Sequence, residues 1–358
     1  MKRGLFMSNK KEQHIYEPFQ NMKFDNKHCF LCGVELNDIN SSLEHVFPKW
    51  LQKKYDLWNQ PLTLQNNTTM QYRQLTIPCC KTCNGVHLSV VEGKIKNAVN
   101  LGYDEFVKLD EKTIFQWIGK IYYGILFKEL NLMDFTIKPI ENKIMTKSRL
   151  EAYKMLHECL QSIHLPIQFH GFQPWSIFVV KLHPSIIGHD FNFIDSIFLS
   201  VSIQLGNIGI IANLGDNGSI KNRMKEKINQ YVGIPLSEAQ FIELVSEMTY
   251  HSFLLEKTPA RFLIGSREPG EAYDIVGVSN SGRFKQFKEK EFSYLFKTYL
   301  ERTFGKAPNN IYDPETNIRY TLLQNIDGNI NVLNADGSVN NEYYLKKYGF
   351  LPNYMIFN

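Results

Sequence analysis

The chain has 358 residues, of which 43% are hydrophobic and 13% aromatic, and its formal net charge is +4. This length predicts about two domains, and the composition is ample for packed cores, so we expect a soluble globular protein. The basic N-terminal segment has no apolar stretch, and no run approaches the roughly 18 apolar residues of a membrane helix, so neither a secretory signal nor a membrane protein is expected.

In chain order, the sequence predicts an arm over 1–24, a cysteine-containing domain over 25–104 and a larger α+β domain over 105–358. In the first domain, a strand ends near residue 45, a short helix covers 48–55, a hairpin joins 62–64 to 70–72, and a helix begins near residue 84. In the second domain we expect helices over 114–130, 150–163, 219–231, 237–255 and 287–303, and strands over 175–182, 193–204 and 208–214. Ser237 and Gln240 form a predicted capping box.

Positive charge is concentrated in the first domain. The first 100 residues contain 13 lysines and arginines against 8 acidic residues, and the remainder contains 27 against 28. A phosphate-binding surface needs such an excess. A solvated, lysine-rich N-terminus gives the same count, so charge alone does not decide between the two.

Five of the six cysteines lie between residues 29 and 83. Four of them form two C-x-x-C pairs, Cys29 with Cys32 and Cys80 with Cys83, and two such turns complete the tetrahedral ligand set of a structural Zn²⁺. Cys79 competes with Cys80 for the fourth position, but the spacing favours Cys80. Metal thiolates suit a reduced compartment, so we expect a cytoplasmic protein.

Forty-seven residues, 33 to 79, lie between the two cysteine pairs, whereas an ordinary zinc ribbon has roughly 15–20 residues between them. The insertion contains Glu44-His45-Val46-Phe47-Pro48, and Asn84 directly follows the second pair. The first stretch resembles the D/E-H-V/I-x-P motif of HNH nucleases, and Cys80 to Asn84 resembles their C-x-x-C-H/N motif. The resemblance covers about residues 25 to 100.

This resemblance implies that the first domain is a small, zinc-stapled ββα-metal (HNH) domain with a catalytic divalent ion. Position by position, it implies His45 as the general base and Glu44 and Asn84 as ligands of a catalytic Mg²⁺ or Mn²⁺. Carboxylate and amide oxygens are hard ligands, and a near-neutral imidazole can accept a proton, so the residue types suit these roles. His87, one helical turn beyond Asn84, is a further catalytic candidate that would ligate the ion or contact phosphate.

The sequence departs from the family pattern in two places. Asn84 replaces a His of the third motif, which favours an oxygen-liking ion over Zn²⁺ at the catalytic site. The middle Asn is not evident: Asn66 and Asn67 are the nearest candidates, but their segment also has the composition of a turn. Glu92, on the same predicted helix as Asn84, either assists the site or is a solvated or salt-bridged residue.

The function that the resemblance implies is metal-dependent hydrolysis of phosphodiester bonds in nucleic acid, with DNA as the expected substrate. Residues 105–358 are expected to fold without the nuclease, to lack a hydrolytic site, and to recognise substrate, a protein partner or a second copy of the chain. Bacterial proteins with these motifs resemble predicted nucleases of genome defence or mobile elements. The alternative is a zinc module that binds nucleic acid or protein without cutting, which needs only the four cysteines.

Overall fold

The computed structural model describes residues 19, 22–64, 68–130, 132, 146, 150–185, 188, 190–264, 273–308, 311–319, 321–325 and 328–348. Helix and strand are mixed, at 39% and 24% of the chain, which agrees with the predicted α+β class. Within these ranges, no helix combines the length and the apolar character that a membrane span needs.

Two antiparallel strands and a helix carry the sequence motifs. The elements of this region, in chain order, are β1 (Ser41–His45), α1 (Lys49–Lys54), β2 (Pro61–Thr63), β3 (Thr69–Gln71), β4 (Thr76–Cys80), a π-helix (Cys83–Leu88), α2 (Ser89–Leu101) and α3 (Tyr103–Phe106). β1 pairs with β4, and β2 with β3. The predicted strand end at His45, the short helix and the hairpin are therefore confirmed, while Asn66 and Asn67 lie outside the described residues.

The long apolar helix α4 (Glu111–Glu129) packs against this two-strand and helix unit. It begins at Asp110, whose side chain accepts a hydrogen bond from the backbone N–H of Thr113 at 2.8 Å, an N-cap that satisfies one free helix donor. Gly124 allows close approach to the end of β1, because a Cβ atom there would lie 3.0 Å from Val46 Cγ2. One hydrophobic cluster spans both sides of residue 104, so a domain boundary there, which stays a prediction, would divide a shared core.

The rest of the described chain forms several helices, one four-stranded sheet, one three-stranded sheet and two sheets of two short strands each. Its main elements are α5 (Lys154–Leu160), β5 (Ile167–Gly171), β6 (Ser176–Lys181), β7 (Phe191–Asp195), β8 (Ser200–Leu205), β9 (Ile208–Asn213), α6 (Ser219–Asn229), α7 (Glu238–Leu254), β10 (Leu255–Lys257), β11 (Arg261–Ile264), β12 (Tyr273–Gly277), β13 (Arg283–Phe284), α8 (Glu289–Phe304), β14 (Tyr312–Asp313), β15 (Ile318–Arg319) and α9 (Asn341–Tyr348). The strand order is β6-β9-β8-β7 in the four-stranded sheet and β11-β12-β5 in the three-stranded sheet, and the two-stranded sheets are β10 with β13 and β14 with β15.

The four-stranded sheet separates two hydrophobic cores. Alternate side chains of a strand point to opposite faces. Ile177 and Ile210 therefore belong to the core of the cysteine region, while Phe178 and Ile211 belong to a second core against α6, α7 and α8. This sheet thus joins the motif-bearing unit to the C-terminal helices.

Two predicted elements differ from the structure. The single strand predicted over 193–204 is two strands, β7 and β8, paired as a hairpin. Their turn places Leu199 at φ +61°, a conformation rare for a residue with a Cβ, and no Gly or Asn marks the turn in the sequence. The helix predicted over 150–163 is shorter, because α5 ends at Leu160 and a 3₁₀ turn follows at Gln161–Ile163.

Candidate metal centre and active site

The structure brings the four predicted cysteine ligands together. The Sγ atoms of Cys29, Cys32, Cys80 and Cys83 all lie within 4.8 Å of one another, and those of Cys32 and Cys80 are 3.8 Å apart. A tetrahedral Zn²⁺ with Zn–S bonds of about 2.3 Å needs sulfur separations of roughly 3.8 Å. The distances exceed the disulfide bond length of about 2.05 Å, and they fit a zinc ion.

Each C-x-x-C pair is a tight turn closed by backbone hydrogen bonds. In the first turn, Gly33 N donates to Cys29 O at 2.9 Å, and Gly33 has φ +74°, a left-handed conformation that glycine adopts without a steric cost. In the second turn, Cys83 N donates to the sulfur of Cys80 at 3.3 Å. The backbone therefore fixes the positions of the sulfurs.

Cys79 lies beside the cluster but outside the set of four. Its Sγ is 3.9 Å from that of Cys29, and it is buried. Since successive side chains of a strand point to opposite faces, Cys79 and Cys80 at the end of β4 do not point to the same place. The structure places Cys80 in the set, in agreement with the C-x-x-C spacing.

Four thiolates at these distances would require a cation. Hydrogen bonds from neighbouring thiols lower the pKa of Cys29, and the resulting thiolate raises the pKa of Cys32 to about 12 and also raises that of Cys83. Four negative sulfurs this close are unfavourable unless a positive charge lies among them. Zn²⁺ would supply that charge, so zinc binding would be coupled both to proton release and to folding.

Asn84 is held against strand β1 at the start of the helix. Its Nδ2 donates to Ser42 Oγ at 3.0 Å and to Leu43 O at 3.2 Å. Ser42 and Glu44 point to the same face of the strand, about 7 Å apart. Both hydrogen bonds use the amide nitrogen, so Oδ1 is the atom that would bind a cation. The structure therefore brings Asn84 to the face of β1 that carries Glu44.

The carboxylate of Glu44 pairs with a buried lysine that was not among the predicted site residues. Lys120, on α4, is 1% exposed, and it forms ion pairs with Glu44 and, at 3.0 Å, with Glu92 Oε1. Its Nζ also donates to the backbone oxygens of His45 and Val46, at 3.0 and 3.2 Å. Burial opposes the charge of Lys120, but the two carboxylates outweigh it and raise the pKa. A permanently charged ammonium therefore lies among four oxygens at the end of β1.

Two carboxylates share this one ammonium. Burial raises the pKa of Glu44, and the charge of Glu92 raises it further, against the effect of Lys120. With both carboxylates ionised, the three groups carry one surplus negative charge. A divalent cation beside Glu44 would compensate that charge, and a carboxylate with an amide oxygen is a donor set that suits Mg²⁺ or Mn²⁺.

His45 ends strand β1 and is half-buried. Its ring stacks on that of Trp58, with centroids 5.9 Å apart and planes inclined by 22°, which limits rotation of the imidazole. Burial, together with the charges of Lys49 and Lys120, lowers the pKa of His45. The imidazole is therefore neutral at neutral pH, the form that can accept a proton.

His87 points to a cleft rather than to strand β1. Its ring centroid is 6.1 Å from that of His164, and it lines a cleft of about 360 Å³ with Lys94 and Lys112. Residues three apart share a face of an α-helix, but Asn84 and His87 lie in a π-helix, whose wider turn separates their directions. Both predicted roles of His87 stay predictions, and contact with phosphate fits better a cleft in which two lysines outnumber one carboxylate, that of Asp110.

The sequence indicates three further residues of the site to different degrees. Lys120 is the one charged residue in the apolar run 114–127, a signal that predicts a buried ion pair but does not name the partner. Glu92 was expected either to assist the site or to be solvated or salt-bridged, and it forms a salt bridge. Trp58 carries no signal, because only the folded chain brings its ring to His45.

No protein-family model matches the chain, and neither a curated protein nor a solved structure matches it. The fold and the site define an α+β protein with a four-cysteine centre that could hold a metal ion such as zinc. A functional proposal therefore rests on the geometry of its residues.

Proposed function

We propose that the chain is a metal-dependent HNH endonuclease that hydrolyses phosphodiester bonds of nucleic acid, with DNA as its substrate. One observation carries the proposal: Asn84 is hydrogen-bonded to strand β1, which ends in Glu44 and His45. The strand, its partner β4 and the helix form a ββα unit, and the cysteine cluster ties its ends. Residues 40 positions apart in the sequence, from the two motifs that resemble HNH nucleases, thus lie together in the fold.

Each residue of the unit has one role in this proposal. Neutral His45 accepts a proton from the attacking water at an imidazole nitrogen. Glu44 and Asn84 hold Mg²⁺ or Mn²⁺, which when bound would offset negative charge on the phosphate and on the leaving oxygen. The four cysteines hold a structural Zn²⁺, which keeps the strand end and the helix in place and takes no part in the reaction.

Basic side chains near the site favour a polyanionic substrate. Lys49 is exposed, and its charge contributes to lowering the pKa of His45, so it lies close enough to attract a phosphate. Lys94 and Lys112 line the cleft that contains His87. Contacts between lysines and phosphates supply affinity without sequence preference. In the proposal, recognition of sequence, of a protein partner or of a second copy falls to the C-terminal region, and the protein acts in the cytoplasm, in genome defence or in a mobile element.

The second candidate is a zinc module that binds nucleic acid or protein without cutting it. The ion pair between Glu44 and Lys120 favours this alternative, because it gives the buried carboxylate a structural partner. The two candidates agree on the zinc. They differ in that only the nuclease needs a second, hard divalent ion and converts its substrate to product.

Incubation of the purified protein with plasmid, single-stranded DNA and RNA separates the two candidates. We expect cleavage of DNA with Mg²⁺ or Mn²⁺ and none with EDTA. A His45→Ala protein purified in parallel detects contaminating nuclease. If wild-type protein shifts DNA in a gel but leaves every substrate intact with both ions, the non-catalytic module is the better description.

We expect Asn84→Ala to lose cleavage at low Mg²⁺ and to recover part of it at high Mg²⁺ or Mn²⁺. The substitution removes an oxygen ligand but leaves the carboxylate of Glu44, so ion affinity falls while the general base remains. Rates measured over a range of ion concentrations test this. Asn97→Ala, an exposed position on α2, is the matched control. An Asn84→Ala protein with the wild-type dependence on Mg²⁺ would remove Asn84 from the ligand set.

A further inference from the structure

We infer that Lys120 is a positioning residue of the nuclease, which fixes the end of strand β1 through the Glu44 carboxylate and the backbone oxygens of His45 and Val46. This inference rests on the proposed function for its catalytic consequence. Its structural part stands on the contacts alone. Lys120 comes from α4, outside the region that resembles HNH nucleases, and it is the group that joins the two candidate catalytic residues to the shared core.

A buried lysine at this place lowers the stability of the fold unless its ammonium makes specific contacts. Lys120 is 1% exposed on a helix whose other described side chains are almost all buried and mostly apolar. Burial of an unpaired ammonium is strongly unfavourable, and an apolar side chain of similar volume is often as stabilising as a buried ion pair. Methionine would therefore serve packing alone. The ammonium adds directed hydrogen bonds, which methionine cannot make.

The contacts of Lys120 converge on the atoms that the proposed reaction requires to be fixed. Its bond to His45 O, at 3.0 Å, restrains the peptide that carries the general base. Its bond to Val46 O, at 3.2 Å, restrains the next peptide as the strand ends. Its ion pair with Glu44 uses one carboxylate oxygen, and a carboxylate has a second oxygen for an ion. A single side chain thus sets the positions of both a base and a ligand.

Glu92 completes this arrangement and suggests the variant to test. It pairs with Lys120 at 3.0 Å, and its side chain is 21% exposed. Lys120→Met alone would leave the buried carboxylate of Glu44 and the partly exposed carboxylate of Glu92 without an ammonium, and such a protein could fail to fold. Lys120→Met with Glu92→Gln removes one positive and one negative formal charge together, so the formal charge of the cluster is the same as in the wild type. The double variant therefore removes the anchor without adding charge.

Lys128→Met is the matched control. Lys128 lies on the same helix, is partly buried, and donates to Thr76 O of strand β4 at 3.1 Å. It makes the same kind of lysine-to-strand contact as Lys120 does, but with one peptide of β4, that of the residue paired with His45, and with no carboxylate of the site. Loss of a stabilising contact between α4 and the two-stranded sheet is common to both variants. Loss of the contacts with Glu44 and with the His45 and Val46 peptides is specific to the Lys120 variant.

The test compares three proteins: the wild type, the double variant and Lys128→Met. Rates of DNA cleavage are measured for each and divided by the zinc content of the preparation. Amide hydrogen exchange of residues 41–47 is measured on the same proteins. In the double variant we expect kcat to fall about 10–100-fold, the usual effect of losing a group that orients a ligand. We also expect a higher ion concentration for half-maximal rate, an unchanged KM for DNA and faster exchange at the end of β1. Lys128→Met should keep the wild-type kcat. A double variant with kcat within about twofold of wild type and unchanged exchange overturns the inference.

The two proposals fail in different ways. If the wild type does not cut DNA, the nuclease proposal fails, and the structural part of the inference is then judged by hydrogen exchange alone. Faster exchange in the double variant would support Lys120 as the anchor of the strand, and unchanged exchange would overturn it. If Lys128→Met loses kcat as much as the double variant does, packing of α4 rather than the contacts of Lys120 is responsible, and the inference is also overturned.

Discussion

Replacing Cys80 by serine is expected to abolish zinc binding and to unfold the unit of β1, β4 and α2, whereas replacing Cys79 is expected to do neither. The two residues are adjacent and buried, but the structure places only Cys80 in the set of four sulfurs. Structural zinc contributes roughly 10–16 kcal/mol of apparent folding free energy in small zinc modules. That is as large as the whole stability of a typical domain, about 5–15 kcal/mol.

Unfolding caused by the loss of zinc is expected to extend beyond the two cysteine turns. Val46 and Phe47, directly after β1, and Ile77 of β4 share a hydrophobic cluster with α4, so an unfolded ββα unit would expose the face of α4 that carries Lys120 and Gly124. We therefore expect Cys80→Ser to be poorly soluble and a chelator to lower the melting temperature of the wild type strongly. A fragment that begins at residue 105 would expose the same face, so the shared core weighs against independent folding of that fragment.

Elemental analysis and calorimetry check this expectation. The wild type and Cys79→Ser should carry one zinc ion per chain and unfold at similar temperatures. If Cys79→Ser loses zinc and Cys80→Ser retains it, the ligand set is Cys79 with the other three cysteines. If the wild type itself contains no zinc after purification, the four-cysteine centre is not a zinc site, and the ββα-metal assignment loses its main structural support.

The sequence predicts those parts of the fold that depend on interactions between residues close together in the chain. The helix α7 begins where Ser237 and Gln240 predict it, because both hydrogen bonds of a capping box form within four residues. The strands predicted to end at 204 and to begin at 208 pair as the hairpin of β8 and β9, and Gly206, at φ +61°, lies in the turn between them. The sequence does not predict the hairpin of β7 and β8, because Leu199 rather than a Gly or Asn occupies the left-handed conformation. Ser196, whose Oγ accepts a hydrogen bond from Phe198 N at 3.3 Å in this turn, is only a weak turn signal.

The site depends on contacts between distant parts of the chain, and these have no local signal. The two C-x-x-C pairs are an exception. Because one metal ion must bind both pairs, the sequence alone predicts that they lie together in the fold. The bond from Lys120 to His45 O joins residues 75 positions apart. The sequence indicates only that a lone charge in an apolar helix needs a partner. The π-helix at Cys83–Leu88 is likewise invisible in the hydrophobic pattern, and it directs His87 away from Asn84.

We expect His45→Ala to abolish DNA cleavage while leaving zinc content, melting temperature and DNA affinity close to those of the wild type. His45 is half-buried at the end of β1, and its side chain contacts the ring of Trp58, so its removal opens no cavity in the core. Loss of a general base costs typically about 10²–10⁴ in rate. Added Mg²⁺ or Mn²⁺ should not restore the activity, because the substitution removes a proton acceptor and not a ligand. This separates it from Asn84→Ala.

The fall of the wild-type cleavage rate at low pH gives a second test of His45 as the general base. Burial and two nearby ammonium groups lower the pKa of His45, so the imidazole stays neutral, and therefore basic, below the ordinary histidine pKa of about 6.5. The rate should accordingly fall only at a pH below that value. His170→Ala is the matched control and should cut like the wild type, because this exposed histidine of β5 pairs with Asp274 of β12 and contributes nothing to the proposed site. A His45→Ala protein that nicks plasmid at the wild-type rate, in a preparation shown to contain no other nuclease, would contradict the HNH mechanism. A loss of activity in His45→Ala together with lost zinc would show instead that the residue supports the fold.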